Sequence, residues 1–231
     1  MKERVRQRHD VRRLQIIQAV GTLITTKGMN SVTIHDIAGE IGVTEAAIYR
    51  HFSSKRAIYS LLLERWEESL LSTVRGEQYD SLPALENLER AFWALLSEVQ
   101  SHQALSFIVI ETIAFEGMRG LSTQVAAVIT DYLEAIQGIL DRGVNEGVVR
   151  PDVNLDAAAT TFFGMIQSTA TLWALNDYDS PLAVQGAKMW EIFKRGVASN
   201  VEQQAPRLTD SKPSIAGGMA NHQAFQSKLR L

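Results

Sequence analysis

Residues 32–55, VTIHDIAGEIGVTEAAIYRHFSSK, constrain the fold more than any other stretch of the chain. Ile34, Ile37, Ala38 and Ile41 recur at helical spacing, so one face of a short helix is buried. Thr33 stands where an N-cap belongs, and Asp36, three residues on, can reach back to complete a capping box. Gly42 stops that helix and lets the backbone turn, Val43 anchors the turn in the core, and Thr44 caps the next helix. Over Glu45 to Phe52 the second helix keeps Ile48 and Phe52 on one side, at i and i+4, and Glu45, Ala46, Tyr49 and Arg50 on the other. Two short helices at a tight turn, with a polar outer side, form a helix-turn-helix that offers a helix N-terminus to the DNA major groove.

Charge agrees with that placement once it is counted by segment. The whole chain carries a net −3, yet residues 1–56 hold ten Lys or Arg against five Asp or Glu, a net of +5 that leaves −8 for the remainder. Lys2, Arg4, Arg6, Arg8, Arg12 and Arg13 make the first residues a basic arm. A basic end on an acidic body turns that end toward phosphates and the rest away from them. The absence of cysteine excludes disulfides, thiolate catalysis and Cys-based metal sites. No apolar run is long enough for a spanning helix, and the charged start has no signal-peptide pattern. The expectation is a soluble cytoplasmic protein.

The remaining chain is read as helical throughout, with no strand and no internal repeat. Leu14, Ile17, Val20, Leu23 and Ile24 form the apolar face of a lead helix that Gly28 ends. A helix from Lys55, capped by Ser54, runs to about Thr73. Further helices are expected at 83–101, 103–116, 120–146, 155–175 and 181–199, with a breaker-rich turn at 142–151. The fold class is therefore all-α. A basic arm and helix-turn-helix occupy 1–54, a larger helical domain occupies 55–200, and 201–231 form a polar, flexible tail.

Several of these elements together resemble the DNA-binding domain of TetR-family transcriptional regulators. They are the lead helix stopped at Gly28, the Thr-x-x-x-Ile-Ala segment at 33–38, Gly-Val-Thr at 42–44 and Tyr-Arg-His-Phe-x-Ser-Lys at 49–55. The resemblance implies roles. Tyr49, His51 and Lys55 would contact phosphates, as would Thr33. Thr44, Glu45, Ala46 and Ala47 would face base edges, the alanines meeting thymine methyls. His35 would reach a base or a phosphate. Glu45 departs from the family, where basic or amide residues are commoner. It either accepts from a cytosine amino group or points to solvent.

The resemblance also implies that the second domain binds an effector and joins two subunits through its last two helices. Here those helices are about 155–175 and 181–199. Phe162, Phe163, Met165, Ile166, Leu172 and Trp173 on the first, with Met189, Trp190, Ile192 and Phe193 on the second, exceed one core stripe. Gly164 would allow close helix approach. Trp66, Phe92, Phe107 and Phe115, with Glu111 as an acid in an apolar segment, are the candidates for an effector pocket. The expected partners are operator DNA, a second copy of the chain and a small, largely apolar effector. Repression, relieved by the effector, is the family's usual mode. No cofactor or metal is expected, since His35 and His51 lie 16 apart with no acidic or cysteine partner placed for a site. A DNA-bound adaptor whose large domain grips a protein is the alternative. An enzyme is disfavoured, with no nucleophile elbow or phosphate-binding loop in the sequence.

Overall fold

The computed structural model describes residues 2–76, 81–101, 119–176, 178–179 and 181–199. The helix expected at 103–116, with Phe107, Glu111 and Phe115, and the tail at 201–231 lie outside the described residues. Eight helices are described: α1 (Lys2–Lys27), α2 (Ile34–Glu40), α3 (Glu45–Tyr49), α4 (Lys55–Ser72), α5 (Ala84–Ser101), α6 (Arg119–Asn145), α7 (Leu155–Leu175) and α8 (Leu182–Val197). No strand occurs among the described residues, only an isolated antiparallel bridge between Val149 and Ala198. Among them, too, no helix is long and apolar enough to cross a membrane.

The head is built as the apolar spacing requires. Ile16, Ile17, Val20, Leu23 and Ile24 of α1 are buried against Ile37 and Ala38 of α2 and Ile48 of α3. Gly28, at φ 77, takes the left-handed turn that closes α1, and its N–H returns to the Ile24 carbonyl at 2.9 Å. Gly42, at φ 66, does the same between α2 and α3, where the Val43 N–H reaches the Ala38 carbonyl at 2.9 Å. The charged first residues belong to the lead helix, because α1 begins at Lys2. The second helix of the motif is shorter than the Glu45 to Phe52 span expected from the sequence. It ends at Tyr49, after which the N–H groups of His51 and Phe52 both turn back to the Ile48 carbonyl, so Phe52 enters the core from a turn.

Helix α4 belongs to both halves. Its first turns bury Ile58 and Tyr59 with the head, and the Tyr59 hydroxyl donates to the Met29 carbonyl at 2.7 Å. Its later turns bury Leu62, Leu63, Trp66 and Leu70 in the second core. Eighteen residues at about 1.5 Å each give a rod of about 27 Å from one core to the other.

The second core is aromatic. Phe92 of α5 stacks on Trp190 of α8 at 5.7 Å and meets Phe162 of α7 edge-on at 6.2 Å, and Phe162 meets Phe193 of α8 at 5.4 Å. Burying each such ring stabilises the fold by about 1.5–3 kcal/mol. The breaker-rich turn between α6 and α7 is pinned to the end of α8, with the Arg150 N–H on the Val197 carbonyl and the Ser199 N–H on that of Val148, both at 2.9 Å. Asn154 caps α7, accepting from the Ala157 N–H at 2.9 Å.

Candidate nucleic-acid interface and effector slot

The outer surface of α2 and α3 is shaped by what each helix must bury. Ile48 and Phe52 are withdrawn into the core, which leaves Glu45, Ala46, Tyr49 and Arg50 exposed and Ala47 half-buried. Tyr49 stands 53% exposed, although a tyrosine of its size normally finds a place to pack. The Thr44 hydroxyl accepts from the Ala47 N–H at 3.3 Å and so caps α3.

The capping box at the start of α2 is complete. The Thr33 hydroxyl accepts from the Asp36 N–H at 3.1 Å, and the Asp36 carboxylate accepts from both the N–H and the hydroxyl of Thr33. Lys27 adds an ion pair to Asp36 at 2.7 Å. The Lys27 bond, then those of Thr33, hold the Asp36 carboxyl well below the usual carboxylate range. The hydroxyl that sequence reasoning offered to a phosphate is therefore engaged within the motif.

Lys55 is also engaged. Its ammonium donates to the Asn30 carbonyl at 3.3 Å and lies 5.3 Å from the Tyr59 ring. Partial burial pushes its pKa down, opposed in part by the charge of Asp36. His51 is half-buried, and His35 is exposed. The His35 Nδ1 lies 3.0 Å from the Glu45 carboxylate, a link between α2 and α3 that no spacing rule would have found. Arg13 was read only as arm charge, but its guanidinium sits 4.8 Å over the Phe52 ring, beside the recognition turn.

In the second domain a narrow slot opens between α4, α5 and α7. Trp66 and Leu70 line it with Leu95, Val99, Phe163 and Ile166, and its free volume is about 20 Å³, room for one water. Its polar edge holds Ser69, whose hydroxyl donates to Glu98 at 2.7 Å, and Gln167. Of the proposed pocket residues, Trp66 lines this slot, whereas Phe92 sits inside the aromatic core. Glu98, an acid facing the slot, was not singled out from the sequence. One polar residue in an amphipathic helix gives no signal of what it faces.

The two last helices also sort differently from the sequence reading. Phe162, Met165, Ile166, Trp173, Trp190 and Phe193 are consumed by the chain's own core. What remains outside is Leu172 and Leu175 on α7 and Val184 and Ile192 on α8, with Leu175 75% and Ile192 69% exposed. Close helix approach within the chain occurs at Gly186, where a Cβ would meet the Leu96 side chain at 2.5 Å. Gly164 faces open space.

A capped, outward-facing helix behind a glycine turn, mounted on a larger all-helical body, is the arrangement that comparison with known proteins bears on directly. Residues 16–62 match the model of the bacterial regulatory proteins of the tetR family, and residues 68–196 match that of the YsiA-like protein C-terminal region. The chain belongs to the TetR family. As a TetR-family protein it is a DNA-binding transcriptional regulator. Similar proteins include the fatty acid metabolism regulator protein of Bacillus subtilis, 23% identical over 80% of this chain and 94% of that one. Another is the nucleoid occlusion factor SlmA of Shewanella halifaxensis, 29% identical over 64% of this chain and 74% of that one. Among solved structures, FadR of Bacillus subtilis in complex with stearoyl-CoA shares the fold at a TM-score of 0.69 and 23% identity, over 79% of this chain and 98% of that one. The TetR-family head, matched as one block, contains Thr33, His35, Thr44 to Ala47, Tyr49, His51 and Lys55.

Proposed function

We propose that the protein is a homodimeric repressor that holds a palindromic operator and releases it when an amphiphile with a long apolar tail, such as a fatty acyl thioester, enters the second domain. The observation that carries the DNA half is the face of α3. A helix that buries Ile48 on one side leaves Glu45, Ala46 and a half-exposed Tyr49 for a groove. Tyr49 and His51 would donate to phosphates, and Thr44 to Ala47 would face base edges. The engaged Thr33 acts mainly by fixing the motif, whereas Lys55 helps fix it through Asn30 and keeps ammonium protons to offer a phosphate.

The effector half rests on the apolar slot and on relatives whose names concern fatty acid metabolism. A slot with room for one water admits a tail only if α4, α5 and α7 move apart. Moving α4 moves the head, so ligand and operator favour different spacings of the two recognition helices. A ligand that prefers one spacing about 100-fold shifts the balance by about 2.7 kcal/mol.

The test is selection of sites from randomised duplex DNA, followed by titration of the complex with stearoyl-CoA, stearate and coenzyme A separately. An enriched inverted repeat, released by the thioester and not by coenzyme A alone, supports the reading. Equal operator affinity with every ligand would sink its effector half. A second reading, the adaptor, draws on the narrowness of the slot and on the similarity to nucleoid occlusion factors. It predicts an enriched operator whose complex no small molecule dissociates. The site of action proposed is the cytoplasm.

A further inference from the structure

An exposed carboxylate on a surface that must approach phosphates needs a reason to be there. Glu45 opens α3, and its side chain is half exposed. Its partner is His35, whose Nδ1 lies 3.0 Å from Oε1 of the carboxylate, although the His35 side chain is itself 85% exposed. The cations closer to the core are occupied elsewhere, Lys27 by Asp36 and Lys55 by the Asn30 carbonyl and the Tyr59 ring. Among the described residues, His35 is the ionisable group that holds Glu45.

That contact does two things. A glutamate at the surface has several rotamers, and near phosphates it would favour those that point away. A hydrogen bond from α2 favours the one that sets Oε1 against His35. The bond also takes Oε1 and places the imidazole proton on Nδ1, which leaves Oε2 to accept from the outside. In the major groove, exocyclic amino groups are the donors that bases offer, on cytosine N4 and adenine N6. Adenine sets its N7 acceptor beside that amino group and guanine shows two acceptors, so both repel a carboxylate. Cytosine is the base that fits.

We propose that His35 is the positioning residue for Glu45, and that the pair selects cytosine at one position of each half-site. This rests on the DNA-binding reading above, and it makes the residue that departs from the family pattern the source of this protein's sequence preference. His35 then acts through Glu45 and has no base of its own.

Site selection from randomised duplex DNA, with wild type, Glu45→Ala, His35→Ala and His35→Asn in parallel, tests it. Asparagine places its amide nitrogen where Nδ1 stands, so it can still donate to Glu45. Wild type should enrich cytosine at one position per half-site, by about fivefold over the other bases, the low end of what a good base contact discriminates. Glu45→Ala and His35→Ala should both lose that preference at that position alone, and His35→Asn should keep it. The salt dependence of affinity should be the same for His35→Ala as for wild type. A slope reduced by about two, one phosphate for each subunit, with the cytosine intact, would show a phosphate contact and overturn the proposal. So would a change at a different base position, or none. Matching thermal melts of the four proteins identify any variant that has failed to fold. If wild type itself enriches no sequence, the regulator reading fails first, before any variant is compared.

Discussion

At the scale of single residues, the head separates groups that hold it from groups that face outward, and the two kinds should fail differently. Thr44 caps α3 whatever it meets on DNA, so Thr44→Ala should cost about 1 kcal/mol of stability, read as a fall in melting temperature. Tyr49 is exposed, so Tyr49→Ala should leave the melt within about 0.5 kcal/mol of wild type and weaken operator binding instead. Asp36 gives the motif an acid limit. Its carboxyl titrates lower in the folded head than in the unfolded chain, so its contribution is fully present above the ordinary carboxylate value of about 3.9. It is lost as pH falls below that value toward the lower folded one. Melting from pH 7 down to pH 3 should therefore show a loss of stability at the acid end that Asp36→Asn largely lacks. An identical acid dependence in the variant would mean that Lys27 and Thr33 do not hold the carboxylate as the geometry has it.

At the scale of helices, one element can be tested against itself. Gly143 and Gly138 lie five residues apart in α6. A Cβ at Gly143 would meet the Val149 side chain at 2.6 Å and the Ala84 Cβ at 3.0 Å, whereas one at Gly138 meets nothing within 4 Å. Val149 is β-branched and stiff, and Ala84 can yield only by moving backbone. Gly143→Ala should thus destabilise by about 1–3 kcal/mol, while Gly138→Ala should stabilise by up to about 1 kcal/mol, both measured by denaturant unfolding. The same helices show how far the sequence could be read. Periodicity and breakers located α7 to the residue and placed the ends of α4, α5 and α6 within one or two. Ser54 marked the start of α4 by its own chemistry, whereas Asp152 and Asn154 both offered a cap for α7 and the structure uses Asn154. The exposed side of α3 was legible too, because Ile48 and Phe52 define the opposite one. Where α1 starts was not legible, since a run of charges carries no periodic mark of helix. Which aromatics of α7 and α8 serve the chain's own core, and which face outward, was not legible. Both kinds recur at helical spacing, and only the packing of Phe92, Phe162 and Trp190 decides between them.

At the scale of the whole molecule, two surfaces must act together for the regulator to work. On the dimeric reading proposed above, the exposed Leu172 and Leu175 of α7 and Val184 and Ile192 of α8 are the apolar side chains a second copy would cover. Ile192→Asp should shift the protein from dimer to monomer in sedimentation and reduce operator affinity by at least tenfold, since one half-site alone binds poorly. The other surface joins body to head. The Arg56 guanidinium, from the first turn of α4, occupies the notch above Gly120 at the start of α6, where any Cβ would displace it. One turn further on, the Gln124 amide donates to the Ser60 carbonyl at 3.5 Å. These contacts add to the packing of α6 against the end of α4 that carries the head, so losing one of them should loosen how α6 and the head move together. Gly120→Ala should expel Arg56, leave folding and dimerisation intact, and weaken the effect of ligand on operator affinity. The double variant with Arg56→Ala decides whether the arginine is responsible. With the side chain gone, Gly120→Ala has nothing to displace, so its added effect on the ligand's release of the operator should vanish. An effect of Gly120→Ala that is the same size with or without Arg56 would place the coupling elsewhere along α4.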